Sequence, residues 1–123
     1  MKIVYGIDLG TTFSSISRMN DSGEPELIAN MQGERLIPSV VLFKHSEQGV
    51  EVIVGTEAKQ QAAFLPTQVA AFTKQHTGTK TTFSILGDNY RFEEISAYVL
   101  KKLVRDAEQV LQTKIKHVVI TVP

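Results

Sequence analysis

The chain has 123 residues, of which 42% are hydrophobic and 21% charged, so its length and composition predict one packed domain, or part of one. Thirteen basic residues balance thirteen acidic ones, which gives no support to a nucleic-acid partner or an anionic membrane surface. The absence of cysteine excludes disulfides and fits a reducing compartment, and the three histidines are too scattered to suggest a metal site. Apolar runs are strand-sized and no leader precedes the first, so we expect a soluble cytoplasmic protein.

The first half of the chain predicts strands separated by short turns. An antiparallel meander of strands is predicted over 2–8, 12–19 and 26–30, because each run is apolar or alternating and is bounded by turn residues. Further strands are predicted over 39–43 and 52–54.

Short helices and a hairpin are predicted next. The first helix covers 56–64, with Thr56 as its cap, and the second covers 67–76 and ends at a glycine stop. The runs 82–86 and 90–92 flank a glycine-containing turn and predict a small hairpin.

The last part of the chain predicts a long amphipathic helix followed by a buried strand. Apolar residues from Ile95 to Leu111 fall at helical spacing on one face. The run 117–122 is almost wholly apolar, which is typical of a strand in the middle of a parallel sheet covered by helices. A helix crossover between strands of one sheet indicates an α/β layered architecture. A central strand so close to Pro123 leaves an edge and apolar faces uncovered, so we expect a fragment of a larger protein.

A candidate phosphate-binding turn follows the first apolar run, at Asp8-Leu9-Gly10-Thr11-Thr12. Gly10 allows close approach of the backbone to a ligand, and successive amides of such a turn can point at anionic oxygens. The two threonine hydroxyls add donors, and Asp8 can hold a hydrated magnesium ion through its waters. The alternative is a plain hairpin turn in which Asp and Thr satisfy local backbone groups, and this short pattern does not decide between the two.

Several further stretches match a family pattern in order across nearly the whole chain. They are Gly6–Thr12, Gly33–Arg35 with Pro38–Val41, Val54–Gly55 with Ala58–Ala62, Ile95–Leu103, and Val119–Pro123. Together they resemble the nucleotide-binding domain of the heat-shock protein 70 (DnaK-type) chaperones, within the actin-like ATPase superfamily. The ordered series is far more specific than the phosphate turn alone.

The resemblance implies an α/β fold, the first lobe of an actin-like ATPase with a ribonuclease H-like core. It implies a mixed sheet with a three-strand antiparallel meander, a helix crossover and an inserted small subdomain. The core would comprise 1–38 and 93–123, and the inserted outer subdomain about 39–92. The lobe would be truncated relative to a complete domain.

The resemblance also implies a chaperone that cycles between ATP and ADP and couples that cycle to the binding and release of unfolded polypeptide, with co-chaperones as partners. Gly10, Thr11, Thr12 and Phe13 would bind the nucleotide, the threonines through amides and hydroxyls on its phosphates. Asp8 would lie near Mg²⁺, held through water, and near K⁺.

Two more residues gain roles from the same resemblance. Lys74 is the counterpart of the family's catalytic lysine, and an ammonium beside the terminal phosphate suits phosphoryl transfer. From spacing alone Lys74 would be a solvated helix lysine. Pro123 matches a proline that relays the nucleotide state to the substrate-binding domain, although a proline there is also a simple strand terminator.

The chain departs from the family pattern at several positions. Phe13 replaces a polar or tyrosine side chain, Gln75 replaces a basic residue, and Leu36–Ile37 stand where two threonines are common. The segment 78–95 is also shorter than in typical members. These differences indicate a divergent, bacterial relative.

Two other function classes stay open from the sequence. One is a non-catalytic interaction module that forms a homodimer by strand exchange or edge pairing. The other is a lobe of an actin-like sugar or acid kinase, for which no substrate pocket is identified. In the chaperone interpretation one lobe supplies half of the nucleotide contacts, so the isolated chain is expected to bind ATP weakly and not to hydrolyse it.

Overall fold

The computed structural model of the chain describes residues 3–74 and 82–123. The predicted glycine stop at Gly78, and Gln75, lie outside these residues. The described elements, in chain order, are β1 (Tyr5–Leu9), β2 (Phe13–Met19), β3 (Pro25–Leu27), β4 (Ile37–Pro38), β5 (Val40–Ser46), β6 (Gly49–Val54), α1 (Thr56–Gln61), β7 (Val69–Ala71), β8 (Thr82–Ile85), β9 (Asp88–Arg91), α2 (Phe92–Leu111) and β10 (Val118–Thr121).

The central sheet contains the strands from the two ends of the chain. Its order is β10-β1-β2-β3, and β4 also pairs with β2. β1, β2 and β3 form the predicted antiparallel meander, whereas β10 runs parallel to β1 with Tyr5 opposite Val118 and Asp8 opposite Thr121. The buried side chains of β1 are Tyr5, Ile7 and Leu9, which alternate along the strand as the pleat requires. The sheet confirms the predicted mixed architecture.

The middle of the chain forms two smaller sheets. β5 lies between β6 and β7, with antiparallel pairing on both sides. β8 and β9 form the predicted hairpin, and its two-residue turn places Leu86 at φ 52° and Gly87 at φ 86°. Positive φ at both turn residues matches the right-handed twist of the flanking strands, which is why such turns favour glycine.

The helix predicted over 67–76 is wrong in its described part. Pro66–Gln68 and Phe72–Lys74 are short 3₁₀ turns, and the three residues between them form β7. The apolar spacing that suggested a helix is met equally by a strand, because Ala70 and Phe72 are two residues apart and both are buried. The first helix is also shorter than predicted, and its N-cap is Gly55 instead of Thr56.

The long helix α2 joins the central sheet to the outer sheets. It packs against β2 on one side and against β5, β6 and β9 on the other. Ile95, Val99 and Leu103 are buried on the face that the sequence predicted. Glu94 accepts a hydrogen bond from the Arg91 backbone N–H at the start of the helix, which satisfies one of the free helix-end donors.

The last strand is paired as predicted but is not buried. β10 is parallel to β1, yet all four of its residues are exposed within this chain. The described residues supply β10 with a neighbour on one edge only, so its other edge and its apolar side chains are uncovered, as expected from the sequence. Within residues 3–74 and 82–123, no helix is long and apolar enough to cross a membrane.

Candidate nucleotide-binding site

The predicted phosphate turn is a three-residue connection between two central strands. β1 ends at Leu9 and β2 begins at Phe13, so Gly10–Thr12 cross over the carboxyl end of β1. A Cβ atom on Gly10 would collide with the backbone carbonyl oxygen of Phe13. The glycine is therefore required by the close approach of the loop to itself and not by a left-handed backbone angle.

The loop rests on a pair of buried serines. The Ser39 hydroxyl donates to the Gly10 carbonyl oxygen at 2.7 Å, and the Ser39 backbone N–H donates to the Thr12 carbonyl oxygen at 3.0 Å. The hydroxyls of Ser14 and Ser39 are 2.8 Å apart, and both residues are almost completely buried. The inner side of the loop thus has its polar groups satisfied by the protein, and its outer side faces solvent.

Three exposed side chains that carry oxygen atoms lie at or just after the end of β1. Asp8 is exposed, and its carboxylate accepts one hydrogen bond from the Thr121 hydroxyl at 3.1 Å. Thr11 and Thr12 are exposed as well. Among the residues that the structure describes, no three acidic or histidine side chains converge, so a cation here would depend on Asp8, on water and on the ligand's own oxygens. A hard, hydrated ion such as Mg²⁺ is commonly bound in this way, and the residues fit it.

A lysine that the sequence analysis did not single out borders the loop. The Nζ atom of Lys59, on α1, lies 5.7 Å from the centroid of the Phe13 ring. A cation at this distance over a ring face is attracted by the ring's negative π surface. The contact places the positive charge of Lys59, from the outer part of the chain, beside Phe13 at the end of the candidate loop.

The two remaining predicted residues are located only in part. Lys74 ends a 3₁₀ turn that begins at Phe72, and the Phe72 backbone N–H donates to the Ser39 carbonyl oxygen at 3.0 Å. The side chain of Lys74 lies outside what the structure describes. Pro123 is exposed and follows β10 directly. The backbone that carries Lys74 is therefore attached to the same serine as the phosphate loop.

A separate cleft of about 970 Å³ lies elsewhere, between β6, α1 and α2. Of the predicted site residues that the structure describes, none lines it. At its edge the Glu34 carboxylate accepts hydrogen bonds from the Thr56 hydroxyl and the Asn30 amide. The bond from Thr56, followed by that from Asn30, lowers the pKa of Glu34 below its ordinary value. These hydrogen bonds connect the turn after β3 to the start of α1. Their role is therefore structural.

Ser39, Ser14 and Lys59 are the site residues that sequence reasoning missed. Ser14 lies in β2 and Ser39 between β4 and β5, each within a run of consecutive buried residues, and a serine inside such a run was the available signal. Lys59 carried no local signal, since it resembles any lysine on the exposed face of a short helix.

Comparisons with known proteins show which family the sequence resembles. The family model described as "Hsp70 protein" matches residues 4–85 and 65–123. The chaperone protein DnaK of Thermotoga neapolitana is 43% identical over 122 residues, which covers 99% of this chain and 20% of the relative. The chaperone protein DnaK of Halobacterium salinarum is 43% identical over 121 residues, which covers 98% of this chain and 18% of the relative. The chain spans about a fifth of the length of these curated relatives. The family match over nearly the whole chain, together with the mixed α/β fold and the glycine loop at the end of β1, shows that the chain belongs to the Hsp70 family.

Proposed function

We propose that the chain is the first lobe of the nucleotide-binding domain of a cytoplasmic, ATP-dependent chaperone. In the complete protein, ATP binding and hydrolysis would drive the binding and release of unfolded polypeptide, with co-chaperones as partners. The observation that carries the proposal is the Gly10–Thr12 loop, which is held from inside by Ser39 and exposes its outer side next to Asp8. Family membership supports the link from this loop to a chaperone cycle.

We further propose that the lobe consists of a core, 1–38 and 93–123, and an outer subdomain, about 39–92. The sheets support this division. Every strand of the central sheet lies in the core ranges, and every strand of the two smaller sheets lies between them. The outer subdomain would thus be an insertion that brings α1 and the segment before Gln75 towards the phosphate loop.

Different residues of this chain would contact the phosphates of the nucleotide and its metal ion. The Thr11, Thr12 and Phe13 backbone amides and the two threonine hydroxyls would donate to phosphate oxygens, and Asp8 would hold the waters of a bound Mg²⁺, with K⁺ as a further ion. The metal would supply charge neutralisation when bound. Lys74 would place its ammonium beside the terminal phosphate, where charge stabilisation is the main contribution a protein makes to phosphoryl transfer.

The test uses the complete protein, with Mg²⁺ and ATP followed by calorimetry and single-turnover assays. We expect Lys74→Ala to lower the hydrolysis rate roughly 100-fold or more while ATP affinity changes by less than about threefold, because the ammonium acts mainly on the transition state. Lys44→Ala, at an exposed lysine of β5, is the control and should leave both quantities unchanged. Near-normal turnover in Lys74→Ala would remove the lysine from catalysis.

The isolated chain gives a second readout of the same proposal. Because one lobe supplies half of the nucleotide contacts, we expect it to bind ATP too weakly for calorimetry at micromolar concentrations and not to hydrolyse it. Micromolar affinity of the isolated chain would contradict a site shared between two lobes.

A second candidate function is a non-catalytic module that forms a homodimer. The observation that favours it is the free edge of β10, an exposed apolar strand open to pairing with another chain. Light scattering of the complete protein over a range of concentrations separates the two candidates, and a concentration-independent monomer rejects the module.

A further inference from the structure

Ser39 is hydrogen-bonded to several segments around the candidate site. It is 1% exposed, and it lies between β4 and β5, outside the phosphate loop itself. Its hydroxyl, its backbone N–H and its carbonyl oxygen contact Gly10, Thr12 and Phe72 respectively. A buried serine with each of its polar groups committed to a different partner is a rigid point of attachment.

The direction of the hydroxyl bonds follows from proton counting. A serine hydroxyl has one proton, and Ser39 gives it to the Gly10 carbonyl oxygen, which has none to give. The 2.8 Å contact between the two serine hydroxyls must then be donated by Ser14. The chain of bonds runs from Ser14 to Ser39 to Gly10, and each bond polarises the next.

The consequence for the loop follows from the geometry of the peptide bond. In a planar trans peptide the C=O and the N–H of the next residue point in opposite directions, and the described chain has no cis peptide. Ser39 draws the Gly10 and Thr12 carbonyls inward, so the amides that share those two peptides must point outward. These are the N–H groups of Thr11 and Phe13.

We propose that Ser39 is a positioning residue of the phosphate loop, which turns the Thr11 and Phe13 amides towards solvent as a pair of donors for an anionic phosphate. The inference rests on the proposed nucleotide-binding function. In this inference Ser39 does not contact the ligand, and it acts by fixing the orientation of the Gly10–Thr11 and Thr12–Phe13 peptides. Two outward amides separated by one intervening residue form the kind of concavity that binds anions in other loops.

The same serine links the loop to the segment that carries Lys74. Its carbonyl oxygen accepts the N–H of Phe72, which starts the 3₁₀ turn ending at Lys74. Phe72 is fully buried against Phe83 and Phe92, so this attachment point is itself held in place. Ser39 therefore fixes the loop and the start of the lysine segment relative to each other.

The first experiment measures the loop directly in the isolated chain by NMR. Ser39→Ala removes the hydroxyl that donates to Gly10 but keeps the backbone N–H that donates to Thr12. We therefore expect the Gly10 carbonyl carbon to shift upfield and the Thr11 amide signal to move, with a smaller change at Phe13. Ser14→Ala is the matched control, because it removes a buried hydroxyl of the same size and leaves the bond from Ser39 to Gly10 in place. Unchanged Gly10 and Thr11 signals in Ser39→Ala would overturn the proposal.

The second experiment measures Mg²⁺–ATP binding and steady-state hydrolysis in the complete protein. We expect Ser39→Ala to weaken ATP affinity roughly tenfold, seen as a higher KM, with a smaller effect on kcat. Ser39→Thr keeps the hydroxyl and should restore affinity to within about threefold of the wild type. Equal affinity of Ser39→Ala and Ser14→Ala, or no rescue by threonine, would overturn the proposal.

The two experiments keep this inference separate from the proposed function. If the wild-type complete protein does not bind ATP, the proposed function fails, and the NMR comparison alone decides whether Ser39 directs the loop amides. If Ser39→Ala does not fold, the double variant Ser14→Ala/Ser39→Ala takes its place, because it leaves no buried hydroxyl without a partner. The same signals then decide the outcome.

Discussion

The two strands that flank β1 in the central sheet differ in how much of each is buried by the rest of this chain. On one side β2 runs antiparallel, and its residues Ser14, Ser15 and Ile16 are buried. On the other side β10 runs parallel, and each of its residues is exposed. On the β2 side the buried hydroxyls of Ser14 and Ser39 are hydrogen-bonded within the chain, and Ser39 also binds the loop. The β10 side has a complete ladder to β1 and nothing described beyond it.

The exposed side chains of β10 show why the difference matters. Val118, Val119 and Ile120 are 38%, 61% and 41% exposed, and successive residues of a strand point to opposite faces. Apolar groups are therefore open on both faces of the sheet as well as along its edge. Strands of this composition are usually covered by other structure, and exposed apolar patches mark interaction sites. The loop at the β2 side can be explained from this chain alone, whereas β10 can be explained only with a partner segment.

The largest expected effect comes from a change at the loop, Gly10→Ala. The added methyl would collide with the Phe13 carbonyl oxygen, which belongs to a strand fixed by β1 and cannot move away freely. We expect the free energy of unfolding to fall by about 2–3 kcal/mol, as for other forced backbone shifts. Urea denaturation of the isolated chain measures it.

Gly6→Ala is the matched control for this prediction, since Gly6 lies in β1, the strand that precedes the loop. A methyl there would be 3.1 Å from the Ser17 hydroxyl, a side-chain atom that can rotate away. We expect a loss of less than about 1 kcal/mol. Equal losses of unfolding free energy in Gly10→Ala and Gly6→Ala would mean that the backbone is no more tightly constrained at the loop than within β1.

A smaller effect is expected at the opposite side of β1, with Val119→Lys. We expect the isolated chain to self-associate through the β10 edge, and a lysine on an edge strand opposes such pairing. The association constant should fall roughly tenfold, about 1.4 kcal/mol. Light scattering over a range of concentrations measures it.

The control for the edge is Val50→Lys, which places the same charge on an exposed valine of β6, the edge strand of the outer sheet. It should leave association unchanged. If both substitutions weaken association equally, general surface hydrophobicity is responsible, and the contrast between the two sides of β1 has no bearing on self-association.

The sequence predicted the parts of the fold that depend on local pattern. The meander, α2 and the hairpin carry periodicity or turn chemistry within about 20 residues. The hairpin turn was predicted at 87–89 and is observed at Leu86–Gly87. The region 67–76 failed because three small or apolar residues fit a strand as well as a helix, and only pairing with β5 decides.

The residues of the candidate site also divide into those with a local signal and those without one. Asp8 and Gly10–Phe13 were predicted because they lie within six residues of one another in the sequence. Ser39 was missed as a site residue because its partner Gly10 is 29 residues away. Lys59 was missed for the same reason, since its contact with Phe13 joins the outer helix to the core. A long-range contact made by a single side chain produces no periodic pattern in the sequence.

The smallest expected effect concerns the connection between the core and α1, through Thr56→Val. The bond from Thr56 is the main cause of the lowered pKa of Glu34, followed by the bond from Asn30. A carboxylate with a lowered pKa in the folded state stabilises the fold above its unfolded pKa of about 4.5, and that stabilisation is lost as the pH falls through the lower, folded value. Because Glu34 is partly exposed, we expect the variant to lose about 1 kcal/mol at pH 7.

The pH dependence is the discriminating measurement for this variant. The difference in unfolding free energy between wild type and Thr56→Val should be constant from pH 6 to 8 and should shrink as the pH falls below about 4.5, the ordinary pKa of the glutamate. Thr113→Val, at an exposed threonine after α2, should show neither the loss nor the pH dependence. A difference that persisted undiminished to pH 3 would mean that Thr56 stabilises α1 by packing and not through the Glu34 carboxylate. The link between core and outer sheet would then be independent of charge, unlike the polar network that holds the loop.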